Sequence, residues 1–289
     1  MTLVLNVQLE SPPEGMQISG RTGKSPLAGS RSNGPLPVIL ARERCHVKWG
    51  ATEGGSRRAI FPPRMTGQLI TFEGVDGSGK TTQLQRAAEW LAARGVPCQV
   101  TKEPGGTPLG ESLRGIFLDP RWGQVDGTVE LLLIFASRRQ HLLEVIEPAL
   151  AAGRTVLCDR FTDSTRAYQG YGRGVPLAVI EQVDLLATGG RVPDHTLLFD
   201  LPPEQARQRG AAPRRKASHA ADRGDRADRG DRLDVEDLAF YQRVREGFLA
   251  LAAAAPERFH VIDSSGAPGA TFAQVQRVLQ VLLGREVPA

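Results

Sequence analysis

From residue 65 onward the chain alternates between two hydrophobic periods. Short apolar blocks of strand length are separated by longer stretches whose apolar positions recur every three to four residues, the spacing of one helix face. The blocks at 68–73 (QLITFE), 98–101, 155–159 (TVLCD), 195–200 (HTLLFD) and 259–263 read as strands. Helices are predicted over 79–94, closed by Gly95 and Pro97, and over about 108–118 and 128–152, the latter ending before Gly153. Further helices are predicted over 176–187, from Pro203 into a charged loop, over 235–253 and over 272–283. Strands separated by helices imply an α/β fold of three layers, a parallel sheet of about five strands with helices on both faces. Such sheets bind ligands outside the carboxyl ends of their strands, so chemistry is expected there.

Residues 11–64 break the pattern. They are rich in Gly, Pro, Ser and Arg, with no sustained period, and cannot bury enough apolar surface to offset their ordering entropy. Residues 1–64 are therefore expected to be a disordered extension, with one folded domain over 65–289. The methionines are Met1, Met16 and Met65, and Met65 stands three residues before the first strand block. Either translation starts at Met65, or the preceding segment is a genuine tail.

The pI of 9.2 invites a nucleic-acid reading, but the charge is unevenly placed. Residues 1–64 hold nine Lys/Arg against four Asp/Glu, and the remainder holds 27 against 28. A near-neutral domain argues for local phosphate sites and against a polyanion partner. No apolar run approaches the roughly 18 residues of a membrane helix. The mildly apolar residues 1–9 lack a basic start and a small-residue cleavage site, so no secretory signal and no membrane association are expected. Cys45, Cys98 and Cys158 are far apart, without metal-type spacing, as in a reducing cytoplasm.

Gly74-Val75-Asp76-Gly77-Ser78-Gly79-Lys80-Thr81, followed by Thr82, fits the phosphate-loop pattern G-x-x-x-x-G-K-[ST]. It lies between a predicted strand and a predicted helix, the context that separates it from a Gly-rich turn with a surface lysine. Glycines let the backbone wrap phosphate oxygens, and the helix N-terminus adds its dipole. Lys80 supplies a cation for the terminal phosphates, and the Thr81 hydroxyl is a candidate Mg²⁺ ligand. The loop alone implies only nucleoside-triphosphate binding, here read as ATP.

The acceptor is indicated further along. Thr101-Lys102-Glu103-Pro104-Gly105-Gly106-Thr107 is followed by Arg114, then by Phe135-Ala136-Ser137-Arg138-Arg139-Gln140-His141, then by Asp159-Arg160-Phe161-Thr162-Asp163-Ser164-Thr165-Arg166-Ala167-Tyr168-Gln169-Gly170. With these motifs in this order, residues 65–289 resemble the bacterial thymidylate kinase family. The resemblance implies a P-loop kinase fold with a mobile lid, Mg²⁺, ATP and dTMP as substrates, and a homodimer. It assigns Arg114 and Arg160 to the acceptor phosphate, and Arg138, Thr165 and Gln169, with Ser164 alongside, to the acceptor nucleoside. Tyr168 would pack on the sugar and disfavour a 2′-hydroxyl. Asp76 would help position the acceptor, with Glu103 and Asp159 near acceptor and metal. The acceptor atom is already a phosphate oxygen, anionic at neutral pH, so no catalytic base is named.

The sequence departs from the family mildly at Lys102, where arginine is common, and more plainly at the base. Where an aromatic side chain usually stacks on the base, four residues before Arg138, this chain has Ile134, with Phe135 beside it. Either Phe135 takes over, or the base packs on an aliphatic side chain. The resemblance also implies a lid that brings arginines to the phosphates. Here the lid spans about 207–234 and contains an Asp/Arg near-repeat from Asp222 to Arg232, neutral overall and read mostly as a solvated loop. Arg207 and Arg209 are the chosen catalytic lid residues alongside Lys80, with Arg232 a weaker choice. Rival readings are a kinase for another small acceptor, a non-catalytic nucleotide-binding module, and a nucleic-acid-stimulated ATPase.

Overall fold

The computed structural model describes residues 67–211 and 231–282. The extension 1–64, the start at Met65 and most of the Asp/Arg near-repeat lie outside the described residues. The strands are β1 (Leu69–Glu73), β2 (Cys98–Lys102), β3 (Thr155–Asp159), β4 (His195–Asp200) and β5 (Phe259–Asp263). They form a sheet in the order β2-β3-β1-β4-β5, with every pairing parallel. β1 is central, and the chain passes to β2 on one side and to β4 on the other. The crevice at its carboxyl end is therefore the topological switch point where ligands of such sheets bind.

The helices are α1 (Lys80–Ala92), α2 (Pro108–Phe117), α3 (Gly127–His141), α4 (Glu147–Ala151), α5 (Thr162–Thr165), α6 (Leu177–Thr188), α7 (Pro203–Ala211), α8 (Leu238–Ala254) and α9 (Pro268–Leu282). The long helix expected over 128–152 is thus not uniform. Asp126 caps it, accepting from the N–H of Thr128 at 2.8 Å, and a π-helical stretch, Leu142–Ile146, separates α3 from α4. Pro148 in the first turn of α4 lacks an N–H and crowds the preceding turn, and the wider π turn just upstream accommodates it. The helix expected from residue 235 begins at Leu238, where Asp237 accepts from the N–H of Phe240 at 2.7 Å, after a 3₁₀ turn over Arg232–Val235. The last helix starts at Pro268, earlier than residue 272, because proline is preorganised for a first helical turn. Segment α5 escaped the periodicity because its buried face is polar, and the π-helical Arg166–Gly172 after it buries Ala167, Tyr168, Gln169, Gly170 and Gly172, which make no α-helical apolar stripe.

Strand side chains alternate between the two faces of the sheet. Ile70, Phe72, Leu157, Leu197 and Phe199 pack with Leu84 and Leu91 of α1 and with Val275 and Leu279 of α9. On the other face, Leu69, Val156 and Cys158 pack with Leu142, Ile146, Ala149 and Leu150. A third cluster joins Tyr168, Leu198 and Ala206 to Phe240, Val244 and Phe248 of α8.

A polar column runs through this apolar frame. The Thr71 and Thr196 hydroxyls are 2.9 Å apart on neighbouring strands. Asp163, fully buried in α5, accepts from Thr196 Oγ1 at 3.1 Å and from Arg258 Nη1 and Nη2 at 2.7 and 2.8 Å. Next to it Glu73, also fully buried, accepts from the Phe161 N–H at 2.7 Å and from the Ser164 hydroxyl. Burial, reinforced by the charge of Asp163, raises the Glu73 carboxyl from the ordinary 4.5 to about 8.

Two stability outcomes follow from the column. Arg258→Met removes the bidentate partner of a buried carboxylate and is expected to cost about 3 kcal/mol, read as a lower denaturant midpoint. For Glu73 the folded protein keeps a proton that the unfolded chain has lost, so its contribution is full below pH 4.5 and falls away as pH rises through about 8. The Glu73→Gln variant lacks this titration. Its stability relative to the parent is expected to rise across that window and then level off, as measured by unfolding at a series of pH values.

Candidate active site

The carboxyl end of β1 runs directly into the phosphate loop, and α1 begins at its lysine. Gly74, Gly77 and Gly79 have φ of 140°, 83° and 87°, conformations that L side chains rarely adopt. At Gly77 a Cβ would also lie 2.4 Å from the carbonyl oxygen of Ala206, so only glycine lets the loop pass against α7. Lys80 is buried beneath the loop, with Nζ 3.5 Å from both Val75 O and Asp76 Oδ1. Burial, together with nearby Arg160, pushes its ammonium below the ordinary lysine value. Such a lysine has much to gain from a phosphate.

Arg160 faces the loop from the end of β3. Its backbone is left-handed, φ 72°, the one such non-glycine residue among those described. That strain is held in place by the hydrogen bond from its N–H to Phe72 O at 3.0 Å and by Glu73, which secures the next residue. The guanidinium donates to Gly74 O at 3.2 Å, Ser164 Oγ at 2.9 Å and Asp76 Oδ1 at 2.7 Å. The Tyr168 hydroxyl donates to Asp76 Oδ2 at 2.9 Å. Asp76 is half exposed; what desolvation it has opposes its ionisation, but Arg160 and Lys80 outweigh this and hold its carboxyl well below the usual carboxylate range. Asp76, Lys80, Arg160, Ser164 and Tyr168 thus form one polar junction between the phosphate loop and the β3 end.

A second junction lies where β2 ends. Arg138, 1% exposed, is the largest fully buried side chain of the described residues. Its Nε donates to Glu103 Oε2 at 2.6 Å and its Nη2 to Thr165 Oγ1 at 2.9 Å. Glu103 also contacts His141 Nδ1 at 2.9 Å, while His141 Nε2 is 2.6 Å from Thr101 Oγ1. Burial works against the Glu103 charge, but Arg138 and His141 keep its carboxyl below the ordinary value. Arg138 Nη1 is buried and has no hydrogen-bond partner among the described residues, a donor left unsatisfied within the protein. Arg114 on α2 reaches back to Pro104 O at 3.0 Å, which places it beside the same strand end.

Ile134 lies one turn before Arg138 on the same face of α3. Phe135 instead packs with Leu131, Ile180 and Ala187 between α3 and α6, and Arg138 sits over its ring at 4.6 Å. Phe135 therefore supports the arginine from the core side, and the aliphatic Ile134 occupies the Arg138 face. Four residues earlier again stands Glu130, fully buried, which accepts from Gln169 Nε2 at 2.9 Å.

The three arginines chosen from the sequence as lid candidates separate into three positions. Arg209, near the end of α7, donates to the carbonyls of Ser264 and Ser265 at 2.7 and 2.8 Å. With Gly77, Ser78, Gly79, Thr82, Gln83, Ser264 and Thr271 it lines a cavity of about 210 Å³ flanking the phosphate loop. Arg207 lines a different depression, with Glu204, Gln208 and Leu238. Arg232 is no free lid cation. Its side chain is 4% exposed, its Nε donates to Phe117 O at 3.1 Å, and its Nη2 lies 2.7 Å from Glu130 Oε1, off the hydrogen-bond direction. Sequence could not show this, because an arginine within an Asp/Arg near-repeat reads as solvated.

Thr81 and Asp159 meet beside the start of α1. The Thr81 hydroxyl is 2.5 Å from Asp159 Oδ2, and Asp159 Oδ1 is buried without a partner. A hydroxyl and a carboxylate with a spare oxygen suit Mg²⁺, which takes few protein ligands and fills its shell with phosphate and water. Four residues the motifs did not single out complete the site: Glu73, Glu130, His141 and Ser137, whose hydroxyl accepts from the Gly105 N–H at 3.0 Å. Glu130 carried a readable signal, a carboxylate at helical spacing from Ile134 and Arg138 inside an apolar run.

Comparison with known proteins agrees with this geometry. The family model described as thymidylate kinase matches residues 72–275. The thymidylate kinase of Desulfosudis oleivorans is 46% identical over 214 residues, which span 73% of this chain and 97% of that protein. That of Pelotomaculum thermopropionicum is 47% identical over 219 residues, 76% of this chain and 95% of the relative. Among solved structures, the thymidylate kinase of Ehrlichia chaffeensis superposes with a TM-score of 0.56 at 35% identity, covering 74% of this chain and 99% of that one. With sequence, fold and cleft in agreement, the chain belongs to the thymidylate kinase family.

Proposed function

We propose that this chain transfers the γ-phosphoryl group of ATP to dTMP, giving ADP and dTDP, as a cytoplasmic homodimer. The observation that carries the reading is the junction of Lys80 and Arg160 through Asp76, a buried and a partly buried cation that follow separate strand ends and share one carboxylate. Two phosphorylated substrates brought together need such neutralisation, and positioning with charge stabilisation is most of what phosphoryl transfer asks of a protein.

ATP lies along residues 74–82, with its terminal phosphates at Lys80 and the loop N–H groups. Mg²⁺, when bound, neutralises phosphate charge, and Thr81 and Asp159 would hold it. The dTMP phosphate is taken by Arg114 and Arg160, and Asp76 with Tyr168 fixes the approach of Arg160 to it. One anionic oxygen of that phosphate attacks the γ-phosphorus, and the bond to the bridging oxygen of ADP breaks with its electron pair leaving on ADP. No proton has to be removed from the attacking oxygen. The unpartnered Arg138 Nη1 is satisfied by a thymine carbonyl, and Thr165 and Gln169 take the rest of the polar edge. A site of buried polar groups rejects bases that leave them unpaired.

Exposed apolar side chains support the dimer. Val129 and Leu132 on α3 and Leu185 and Leu186 on α6 are 47, 56, 64 and 83% exposed on two neighbouring helices, the kind of surface a partner copy covers. No described helix is long and apolar enough to cross a membrane. Residues 65–289 are taken as the whole catalytic unit.

The test is coupled ADP release from residues 65–289 with Mg-ATP and one monophosphate at a time. Strong turnover with dTMP, weak with dUMP and negligible with dAMP, dGMP and UMP is the expected result, and the same rate with every acceptor would refute it. Arg209→Ala, on the donor side, is expected to lower kcat far more than it raises KM for dTMP. An unchanged kcat would remove Arg209 from the mechanism.

A further inference from the structure

Glu130 has no partner role in the chemistry above, yet it is a fully buried carboxylate. It sits on α3 in register with Ile134 and Arg138, each four residues from the next, so the three share a face. Opposite them stand Thr165 and Gln169, also four residues apart. Arg138 reaches Thr165 at 2.9 Å, and Gln169 reaches Glu130 at 2.9 Å, so the two contacts bracket Ile134. The base-reading amide therefore lies at one end of this frame and the base-reading guanidinium at the other.

A glutamine side chain can present either its oxygen or its NH₂ group, and which one it presents decides which base edge it fits. Glu130 removes that choice. An ionised carboxylate only accepts hydrogen bonds, so it takes the Gln169 Nε2 and turns Oε1 away. The carboxylate is itself held by cations on both sides. Arg173 contacts it at 3.2 Å and is tied in turn to Glu236 at 2.7 Å, and Arg232 stands 2.7 Å away. With two arginines fixing its charge, the acceptor-only character is built in.

We infer that Glu130 is a specificity-determining positioning residue: it locks the Gln169 amide with its carbonyl oxygen toward the acceptor base, so that the site takes pyrimidines carrying N3–H and a 4-keto group. The inference rests on the dTMP reading of the site. Thymine and uracil donate from N3 and accept at O4, matching Gln169 Oε1 and the free Arg138 Nη1. Cytosine has a lone pair at N3 and an amino group at C4, so it sets acceptor against acceptor and donor against donor. The 5-methyl group is read elsewhere, because Glu130 acts only on the N3 side. Arg232 brings the end of the segment after α7 into the same cluster, so lid anchoring and base reading share one carboxylate.

The test compares the affinities of dTMP, dUMP and dCMP for the parent enzyme and for Glu130→Gln, by calorimetry and by steady-state competition. A neutral amide at 130 can accept or donate, so Gln169 is free to flip. The preference for dTMP over dCMP is expected to narrow roughly tenfold, the scale of one hydrogen bond to a charged group. The dTMP-to-dUMP ratio stays unchanged, because those two bases share the same edge. The loss is in KM for dTMP, with KM for ATP unmoved. In a Gln169→Ala background, Glu130→Gln is expected to cause no further change in base preference. If the single variant does not fold, the pair Glu130→Gln with Arg232→Met keeps the cluster's net charge and gives the same reading. An unchanged dTMP-to-dCMP ratio in folded variant, or an equal shift in dTMP against dUMP, would overturn the inference and leave Glu130 as a packing residue. Absence of dTMP turnover by the parent enzyme would overturn the proposed function along with it, so the parent tells the two failures apart.

Discussion

The Arg160 guanidinium is the contact on which the nucleotide end of this molecule depends. An arginine drawn into a cleft loses water from five N–H donors and must find acceptors for them. Arg160 finds them in Gly74 O, Ser164 Oγ and Asp76, and so ties the phosphate loop, the end of β3 and the start of α5 into one unit. Its left-handed backbone, φ 72°, turns the chain off the sheet sharply enough to aim the side chain at the loop. The strain persists because Glu73 and Phe72 O hold the backbone on either side.

The same rule governs the acceptor end. Arg138, Glu103, Glu130 and His141 are all buried, and each is acceptable only because its neighbours satisfy it. Their partners leave few free directions. Glu103 has both oxygens engaged, and Arg138 retains a single unpartnered nitrogen. A group with one unmet requirement in a low-dielectric site is selective, because a ligand that fails to meet it pays the full desolvation cost. The π-helical backbone at Arg166–Gly172 carries Tyr168 to Asp76 and Gln169 to Glu130, so both junctions draw on one segment.

Rigid and adjustable parts are distributed accordingly. The elements that carry Lys80, Arg138 and Asp159, namely α1, α3 and β3, are anchored in apolar clusters. Arg209 donates to the carbonyls of Ser264 and Ser265 at the rim of the cavity beside the phosphate loop. Those two bonds are readily exchanged for a ligand's acceptors, whereas Arg232 at the far end of the lid segment is sealed beneath Phe117 and Glu130.

Much of this was legible in the chain. Residues 155–159, 195–200 and 259–263 were read as strands to the residue; the first two are short apolar blocks, as strands buried on both faces must be, whereas the edge strand 259–263 is only partly buried. The phosphate loop and the Asp159–Gly170 stretch were legible because their chemistry demands particular residue types at fixed spacing, whatever surrounds them. The breaks in the long helix at Leu142 and the start of α8 at Leu238 were not, since a π turn and a cap depend on how neighbours crowd the backbone. Nor could the sequence distinguish Arg232, Arg209 and Arg207, three arginines with similar local surroundings, or show that Phe135 faces the core and Ile134 the Arg138 face. Local sequence determines which groups are present and what elements they sit on. Only the tertiary packing decides which charge is buried, because burial depends on residues as distant in the chain as Glu130 and Arg232, and the cost of desolvation exists only once they meet.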